Sequence, residues 1–361
     1  MTKSIPKIAF LFVVYLITSC ANQKKLVQQP IAKPIAQYVP KDTKTTIAGN
    51  YLGSYHNGNY VWGGAMNLAW NELNENILKE KLQLHSLDKT ALEMVEKLNH
   101  PSFTKKDLDE NSYYIKSGFG QQTVTAINQE LKAKFPTKSF GDLKINLDKT
   151  SFMSYAYFLK EVEYETKFDS KDILFNGQSV KGFFSKNYTI QGNNLEIMQY
   201  ESDEKFIINI KLKDEKDQLI LAKGYDMINP ETIVNQINAI NYRSIRGFGD
   251  YDEFEAPKLK LDFHRDYIEL LHQYLSNKGY ELYQIDKMFE NIKFNMDEKG
   301  AQVENEASIA ISVGMVIGEV PIVPKKLYLN KPFWVVMKKS DSKNPYFILG
   351  INNTELMEKS N

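Results

Sequence analysis

Cysteine is almost absent from this chain of 361 residues: Cys20 is the only one, so no disulfide can form within it. The five histidines form no His-Glu-x-x-His motif and no cysteine pair is present, which excludes the common zinc patterns. The 45 Lys and Arg residues balance 45 Asp and Glu residues, so no strongly basic surface is available for a nucleic acid. No Gly-x-Ser-x-Gly nucleophile motif occurs either. We therefore expect no catalytic residue, no metal, no cofactor and no nucleic-acid partner, in a protein that is not an enzyme.

The N-terminus has the features of a secretory signal. Lys3 and Lys7 supply positive charge, and the apolar run Ile8–Ile17 follows them. A helix needs about 20 residues to cross the hydrocarbon core of a bilayer, about 30 Å thick, so this run is too short to be an anchor. The run ends in Thr18-Ser19-Cys20, and the segment Ile17–Cys20 resembles the lipobox of bacterial lipoproteins.

That resemblance implies that residues 1–19 are a signal peptide and that the thiol of Cys20 is lipidated. The alternative is an ordinary cleaved signal in which Cys20 is incidental. Each buried methylene of an acyl chain contributes about 0.8 kcal/mol, so two or more chains would make the attachment effectively permanent. We expect a protein of the bacterial cell envelope, held on a membrane by its lipid. The outer membrane is the favoured site, with the body in the periplasm or outside the cell.

Residues 20–50 have the composition of a flexible tether. They contain several Gln, Lys and Pro residues and few large apolar ones, so they cannot repay the entropy lost on ordering. The rest of the chain, residues 51–361, is expected to form the folded body. With 42% hydrophobic and 12% aromatic residues overall, the chain can bury a substantial core.

Hydrophobic periodicity predicts helices in the first part of the body and strands later. The predicted helices are Met66–Gln83, Ser86–Leu98, a helix through Val124 to Phe135, one starting at Asn229-Pro230-Glu231, and one between Phe263 and Gly279. The predicted strands are Ser151–Phe158, Phe206–Leu212, Leu259–Phe263 and Ile292–Met296. Helices followed by strands that look antiparallel indicate an α+β fold rather than a βαβ fold.

The C-terminal third resembles the reactive-loop region of a serpin. A strand over Phe294–Met296 leads into Asp297–Ala301, which opens a long loop. The loop is followed by Leu329–Phe333 and by a closing hairpin that ends with Tyr346–Gly350.

Segments further toward the N-terminus also resemble that family. Pro257–Leu261 resembles the segment before the hinge strand, and Ser154–Phe158 resembles the central strand of the main sheet. The gate region is represented by Phe168, Phe175 and Val180. Ile127-Asn128 matches the helix that lies across the main sheet. The resemblance covers about Thr123 to Asn353, whereas residues 51–114 match poorly and look shortened. A tryptophan usual in the family between Phe158 and Phe168 is absent, and Tyr164 is the nearest candidate. The resemblance implies N-terminal helices, large and mostly antiparallel sheets and an exposed reactive loop.

The resemblance implies an inhibitor of a serine or cysteine protease. A protease cleaves the loop and is held as an acyl-enzyme while the first half of the loop inserts into the main sheet as a new strand. The residues that this assigns to the loop hinge are Glu298, Gly300, Ala301, Val303, Asn305 and Ala307. Counting from Gly300 puts the scissile bond between Gly314 and Met315. If Ala301 faces inward in the inserted strand, alternate residues as far as Val313 do too.

The sequence also departs from the inhibitory pattern. Val303, Glu304, Asn305 and Glu306 stand where inhibitory members have small residues. Asn305 would be buried on insertion, at a cost of about 1 to 3 kcal/mol if its amide finds no partner. Two alternatives therefore stay open: a serpin-like lipoprotein that binds without inhibiting, and a permanent strand or fixed surface loop in this segment.

Overall fold

A computed structural model describes residues 8–20, 43–53, 58–100, 103–185, 190–299 and 323–360. Its strands, in chain order, are β1 (Ile8–Cys20), β2 (Thr45–Ala48), β3 (Asn59–Gly63), β4 (Leu84–His85), β5 (Tyr113–Phe119), β6 (Phe152–Val162), β7 (Asp169–Phe175), β8 (Gln178–Ser185), β9 (Leu195–Ser202), β10 (Lys205–Ile210), β11 (Asp217–Lys223), β12 (Arg246–Gly247), β13 (Glu253–Pro257), β14 (Leu259–Asp266), β15 (Tyr274–Leu275), β16 (Tyr283–Met296), β17 (Lys326–Tyr328), β18 (Phe333–Lys339) and β19 (Pro345–Ile351). Its α-helices are α1 (Ala65–Glu72), α2 (Lys89–Leu98), α3 (Gly120–Lys134) and α4 (Pro230–Asn238).

The strands form three sheets. The main sheet has seven strands in the order β4-β15-β16-β1-β6-β5, with β14 also paired to β16. An eight-stranded sheet has the order β12-β9-β10-β11-β18-β19-β3-β2, and a four-stranded sheet has the order β17-β13-β8-β7. Only β2 with β3 and β13 with β17 pair in parallel among the described strands. The predicted α+β class with large, mostly antiparallel sheets is therefore confirmed.

The core lies between the main sheet and the eight-stranded sheet. Alternate residues of β6, among them Phe152, Ala156 and Phe158, belong to this core. The other face of β6 carries Met153, Tyr155 and Tyr157, which pack in a second cluster with α3. Both faces of β6 are thus covered, because α3 lies across the main sheet as the resemblance implied for Ile127-Asn128.

The helix signals at α3 and α4 predict the structure well. Phe135 follows the last residue of α3, directly before Pro136, and the side chain of Asn229 caps α4 by accepting from Glu231 N at 3.0 Å. The helix predicted from Ser86 begins instead at Lys89, because Asp88 accepts from Thr90 N at 2.8 Å and caps it there. The predicted helix Met66–Gln83 is α-helical only through α1. A π-helical turn, Leu73–Leu78, continues it and ends at Lys79, whose φ is +60°.

The helix predicted between Phe263 and Gly279 is wrong. This stretch forms turns and the short strand β15, although its apolar residues recur at helical spacing. Its backbone groups pair with β16 instead: Tyr267 N donates to Met288 O at 2.9 Å and His272 N to Ile285 O at 2.7 Å. Pairing with a neighbouring strand therefore replaces the local hydrogen bonds that a helix would make.

Two further expectations change. The strand predicted over Phe206–Leu212 was expected to bury one face only, yet Phe206–Ile210 are all buried, so both faces of β10 are covered there. The last residues of the predicted tether are also ordered, since Thr45–Ala48 pair with β3. The folded body accordingly begins before residue 51.

Candidate loop hinge and strand-acceptor site

The predicted hinge lies at the end of β16, the longest strand of the main sheet. Directly after Met296 come Asp297 and Glu298, and both are buried. The carbonyl of Glu298 accepts a hydrogen bond from Phe168 N at 2.8 Å, and Lys299 N donates to Asp297 Oδ1 at 2.8 Å. A backbone hydrogen bond and a side-chain hydrogen bond therefore hold the chain up to Lys299, the last described residue before Gly300.

An ion pair fixes the side chain of Glu298. Lys258 Nζ lies 2.6 Å from Glu298 Oε2, and the two side chains are 17% and 10% exposed. Burial tends to raise the pKa of Glu298, but the hydrogen bond from Lys258 and the nearby positive charges outweigh it and hold that pKa below its usual value. Asp297 lacks such a close partner, and burial raises its pKa. The predicted hinge therefore begins with a carboxylate whose pKa burial raises, Asp297, followed by a carboxylate paired with a lysine, Glu298.

An aromatic cluster packs beside the predicted hinge. Phe168, Phe183 and Phe254 are fully buried, with ring centroids 5.4 to 5.9 Å apart. Tyr164 joins them, 5.3 Å from Phe168, and burial together with Asp297 and Glu298 raises its pKa well above the usual value. Tyr164 thus lies beside the hinge, where the resemblance called for an aromatic residue.

The chain that returns after the loop is tied to the same cluster. Leu327 in β17 is the partner of Phe254 in β13, and Leu329 N donates to Glu255 O at 2.9 Å. Because Phe254 contacts Phe168, whose N–H holds Glu298, the two ends of segment 300–322 are joined through one set of packed rings. A segment anchored at both ends in this way begins and ends on a rigid support.

The main sheet contains one strand position that connects the hinge strand to the central strand. β1 occupies it and runs antiparallel to β16 on one side and to β6 on the other. Phe12, for example, is the partner of Ile292 in β16 and of Phe158 in β6. We call this place between β6 and β16 the acceptor position. It takes an antiparallel strand of thirteen residues.

Sequence reasoning missed a buried acid next to the acceptor position. Glu290 in β16 is fully buried and accepts from Tyr267 Oη at 2.8 Å through Oε2. Burial, partly offset by Tyr267 and Arg265, raises its pKa to about 8. Arg265 in β14 lies opposite Glu290 in the pairing with β16, and its guanidinium group donates to Ile47 O and to Glu269. Extending the alternation of Ile292 and Phe294 backward would have put Glu290 on the same inward face.

The structure describes only part of the predicted site. Glu298 is at the hinge, and Cys20 is the last residue of β1, opposite Tyr283. The remaining predicted residues lie outside the described residues: Gly300, Ala301, Val303, Asn305, Ala307, Gly314 and Met315. Lys258, the partner of Glu298, lies in the segment Pro257–Leu261, but the sequence alone does not identify it as a site residue.

Within the described ranges, no cluster of three or more His, Cys, Asp or Glu side chains is arranged to hold a metal ion. No helix among those residues is long and apolar enough to cross a membrane. His264 has ordinary polar partners: its Nδ1 lies 2.7 Å from Asn291 Oδ1, and its Nε2 lies 3.3 Å from Asp266 Oδ1.

No family model and no curated protein matches this sequence. The structure, however, is similar to solved serpins. With the mouse protein Z-dependent protease inhibitor it shares 15% identity at a TM-score of 0.49, over 82% of this chain and 91% of that one. With the thermophilic serpin tengpin it shares 13% identity at a TM-score of 0.46, over 90% of this chain and 97% of that one. With Serpin48 of the insect Tenebrio molitor it shares 9% identity at a TM-score of 0.46, over 82% of this chain and 92% of that one.

Proposed function

We propose that this protein inhibits a serine or cysteine protease by inserting its cleaved loop into the acceptor position. The observation that carries the proposal is the relation of β16 to that position. β16 leads directly into the segment that starts at Gly300, and the neighbouring strand position takes an antiparallel strand. A chain that turns back after the hinge would run in that direction, because a strand that follows β16 through a turn is antiparallel to it.

Length and period support the same proposal. Ala301–Val313 has thirteen residues, the length of the strand that the acceptor position holds. Its alternate residues from Ala301 are mostly small or apolar, and those between them mostly polar, as a strand with one face in the core requires. The inward face of β16 at that place carries Ile292, Phe294 and Met296, all buried in the core.

In this proposal the protein acts in the bacterial cell envelope, at the surface of a membrane. Its leader, residues 1–19, is removed, and lipid on Cys20 holds the body at the surface. Removal of the leader would also remove most of β1 and so leave the acceptor position vacant. In this proposal the protein is a mechanical trap with a protease as its partner, and it is not an enzyme.

The test is incubation of the processed protein with a panel of serine and cysteine proteases, followed by denaturing gel electrophoresis. A stable adduct of higher mass is expected, and clipping with full residual protease activity would refute inhibition. Clipping within the loop should also raise the melting temperature, because the inserted strand adds buried surface and backbone hydrogen bonds.

A binding protein without trapping is the second candidate. Glu304, Asn305 and Glu306 favour it, because they stand where inhibitory members of the resembled family have small residues and because the amide of Asn305 would face the core on insertion. In that case the loop would be clipped without an adduct, and the melting temperature would not change on clipping.

A further inference from the structure

The acceptor position has an occupant in the uncleaved chain. β1 pairs with β6 from Ile8 to Thr18 and with β16 from Leu11 to Cys20, with one irregularity between Ile17 and Thr18. Leu11–Thr18 therefore has a neighbouring strand on each side, and the residues at the two ends of β1 have one on one side. Such a strand is an internal member of the sheet.

The same residues carry the features of a secretory leader. Ile8–Ile17 is the apolar run, and the expected cleavage site lies directly before Cys20, the last residue of β1. Cleavage there would cut β1 from the body at its own C-terminal end. Removal of the leader and opening of the acceptor position are then a single covalent event.

We propose that residues 8–20 act as an intramolecular plug, which fills the acceptor position until the leader is cleaved. One strand position cannot hold two strands, so a plugged chain cannot insert another segment between β6 and β16. The blocking effect rests on the proposed function, since it concerns insertion of the loop. The seating of residues 8–20 does not, because it follows from the pairing alone.

The seating can be tested with engineered cysteines in the uncleaved full chain carrying Cys20→Ser. Leu11 and Lys293 are direct partners in neighbouring strands, so their Cα atoms lie about 4.5 to 5.5 Å apart, within the range for a disulfide. Lys293 is exposed, which makes Leu11→Cys with Lys293→Cys accessible to a mild oxidant.

Asp262 provides a matched control. It is the partner of Lys293 on the far side of β16, so its Cα atom is about 10 Å from that of Leu11, too far for a disulfide. We expect Leu11→Cys with Lys293→Cys to form the intramolecular disulfide at least tenfold more than Leu11→Cys with Asp262→Cys. A non-reducing gel and intact mass measure the yield.

Equal yields in the two pairs, or no disulfide in a first pair that melts cooperatively, would overturn the seating. If the first pair does not fold, Leu11→Cys with Leu159→Cys tests the same position from the β6 side, where Leu159 is the direct partner of Leu11. If this variant melts cooperatively but forms no disulfide, or if its yield equals that of Leu11→Cys with Asp262→Cys, the seating is overturned.

The blocking effect needs a second measurement on the crosslinked, uncleaved chain and on the processed chain purified from membranes. We expect the processed chain to form protease adducts at least tenfold faster, and the crosslinked chain to be clipped only. Equal adduct formation would overturn the plug. If neither chain forms an adduct while the crosslink forms as expected, the proposed inhibition fails and the seating of residues 8–20 stands.

Discussion

Reversal of the charge on Glu298 should destabilise the hinge end of the main sheet. In Glu298→Lys the ammonium group would lie against Lys258, which is 2.6 Å from the present carboxylate, and near Lys299. Removing one partner of a buried ion pair costs about 3 to 5 kcal/mol, and we take about 3 kcal/mol because this pair is partly exposed. At about 2 °C per kcal/mol for a body of this size, the melting temperature should fall by about 6 °C.

The double variant Lys258→Glu with Glu298→Lys restores an ion pair in the opposite sense and should recover most of that loss. Asp262→Lys is the matched control, because Asp262 in β14 pairs with Lys293 in β16 with both side chains about half exposed. Breaking an exposed pair should cost less than about 1 kcal/mol. Urea unfolding and thermal melts measure all three variants. The reasoning is refuted if Glu298→Lys costs no more than Asp262→Lys, or if the double variant recovers nothing.

Four further outcomes are expected. The pKa of Glu290 is about 8 in the folded chain against 4.5 ordinarily, so its contribution to stability is complete below pH 4.5 and is lost as the pH rises to about 8, about 5 kcal/mol in all. Urea unfolding from pH 5 to 8 should show this fall in the parent and not in Glu290→Gln; parallel profiles would contradict it. Lys160→Met leaves Asp217 buried without its ion-pair partner and should cost about 3 to 5 kcal/mol in urea unfolding; adding Asp217→Leu should recover most of this, and no recovery would argue against the pair. Cys20→Ser should leave the protein unlipidated and mostly soluble on cell fractionation, and membrane retention would count against lipidation. Ala301→Arg should melt as the parent does but form no protease adduct, because a charge cannot enter the sheet; full inhibition would show that the assumed strand register is wrong.

Local signals in the sequence predict the elements whose partners lie nearby. The cap at Asn229 and the stop at Pro136 set helix boundaries through contacts within a few residues, so α3 and α4 follow from the sequence. The stretch between Phe263 and Gly279 shows the limit of this reasoning. Its apolar spacing fits a helix, but hydrogen bonds to β16 determine its conformation, and a periodicity contains no information about a distant strand.

The candidate site divides in the same way. Glu298 follows from the resemblance of Asp297–Ala301 to a serpin hinge, because that motif is contiguous in sequence. Its partner Lys258 is forty residues away in the sequence. Because the chain contains 45 basic residues, sequence spacing alone cannot identify the one that pairs with Glu298. Glu290 could have been found as an acid on the inward face of a strand. Its partner Tyr267 lies in the stretch that the sequence predicts as a helix, so the pair depends on the fold.

The N-terminal run illustrates why one segment can fit two environments. Ile8–Ile17 contains no charged side chain and no side-chain amide, which suits both a secretory leader and an internal strand of a sheet. The loop segment that is proposed for the same acceptor position carries Glu304, Asn305 and Glu306 in its first half. Apolar burial contributes about 25 cal/mol per Å², whereas a buried amide without a partner costs about 1 to 3 kcal/mol. The leader is therefore the better occupant while it remains attached. The loop could gain the position only after a covalent cut has removed its competitor, which makes leader cleavage, rather than displacement, the step that would arm the trap.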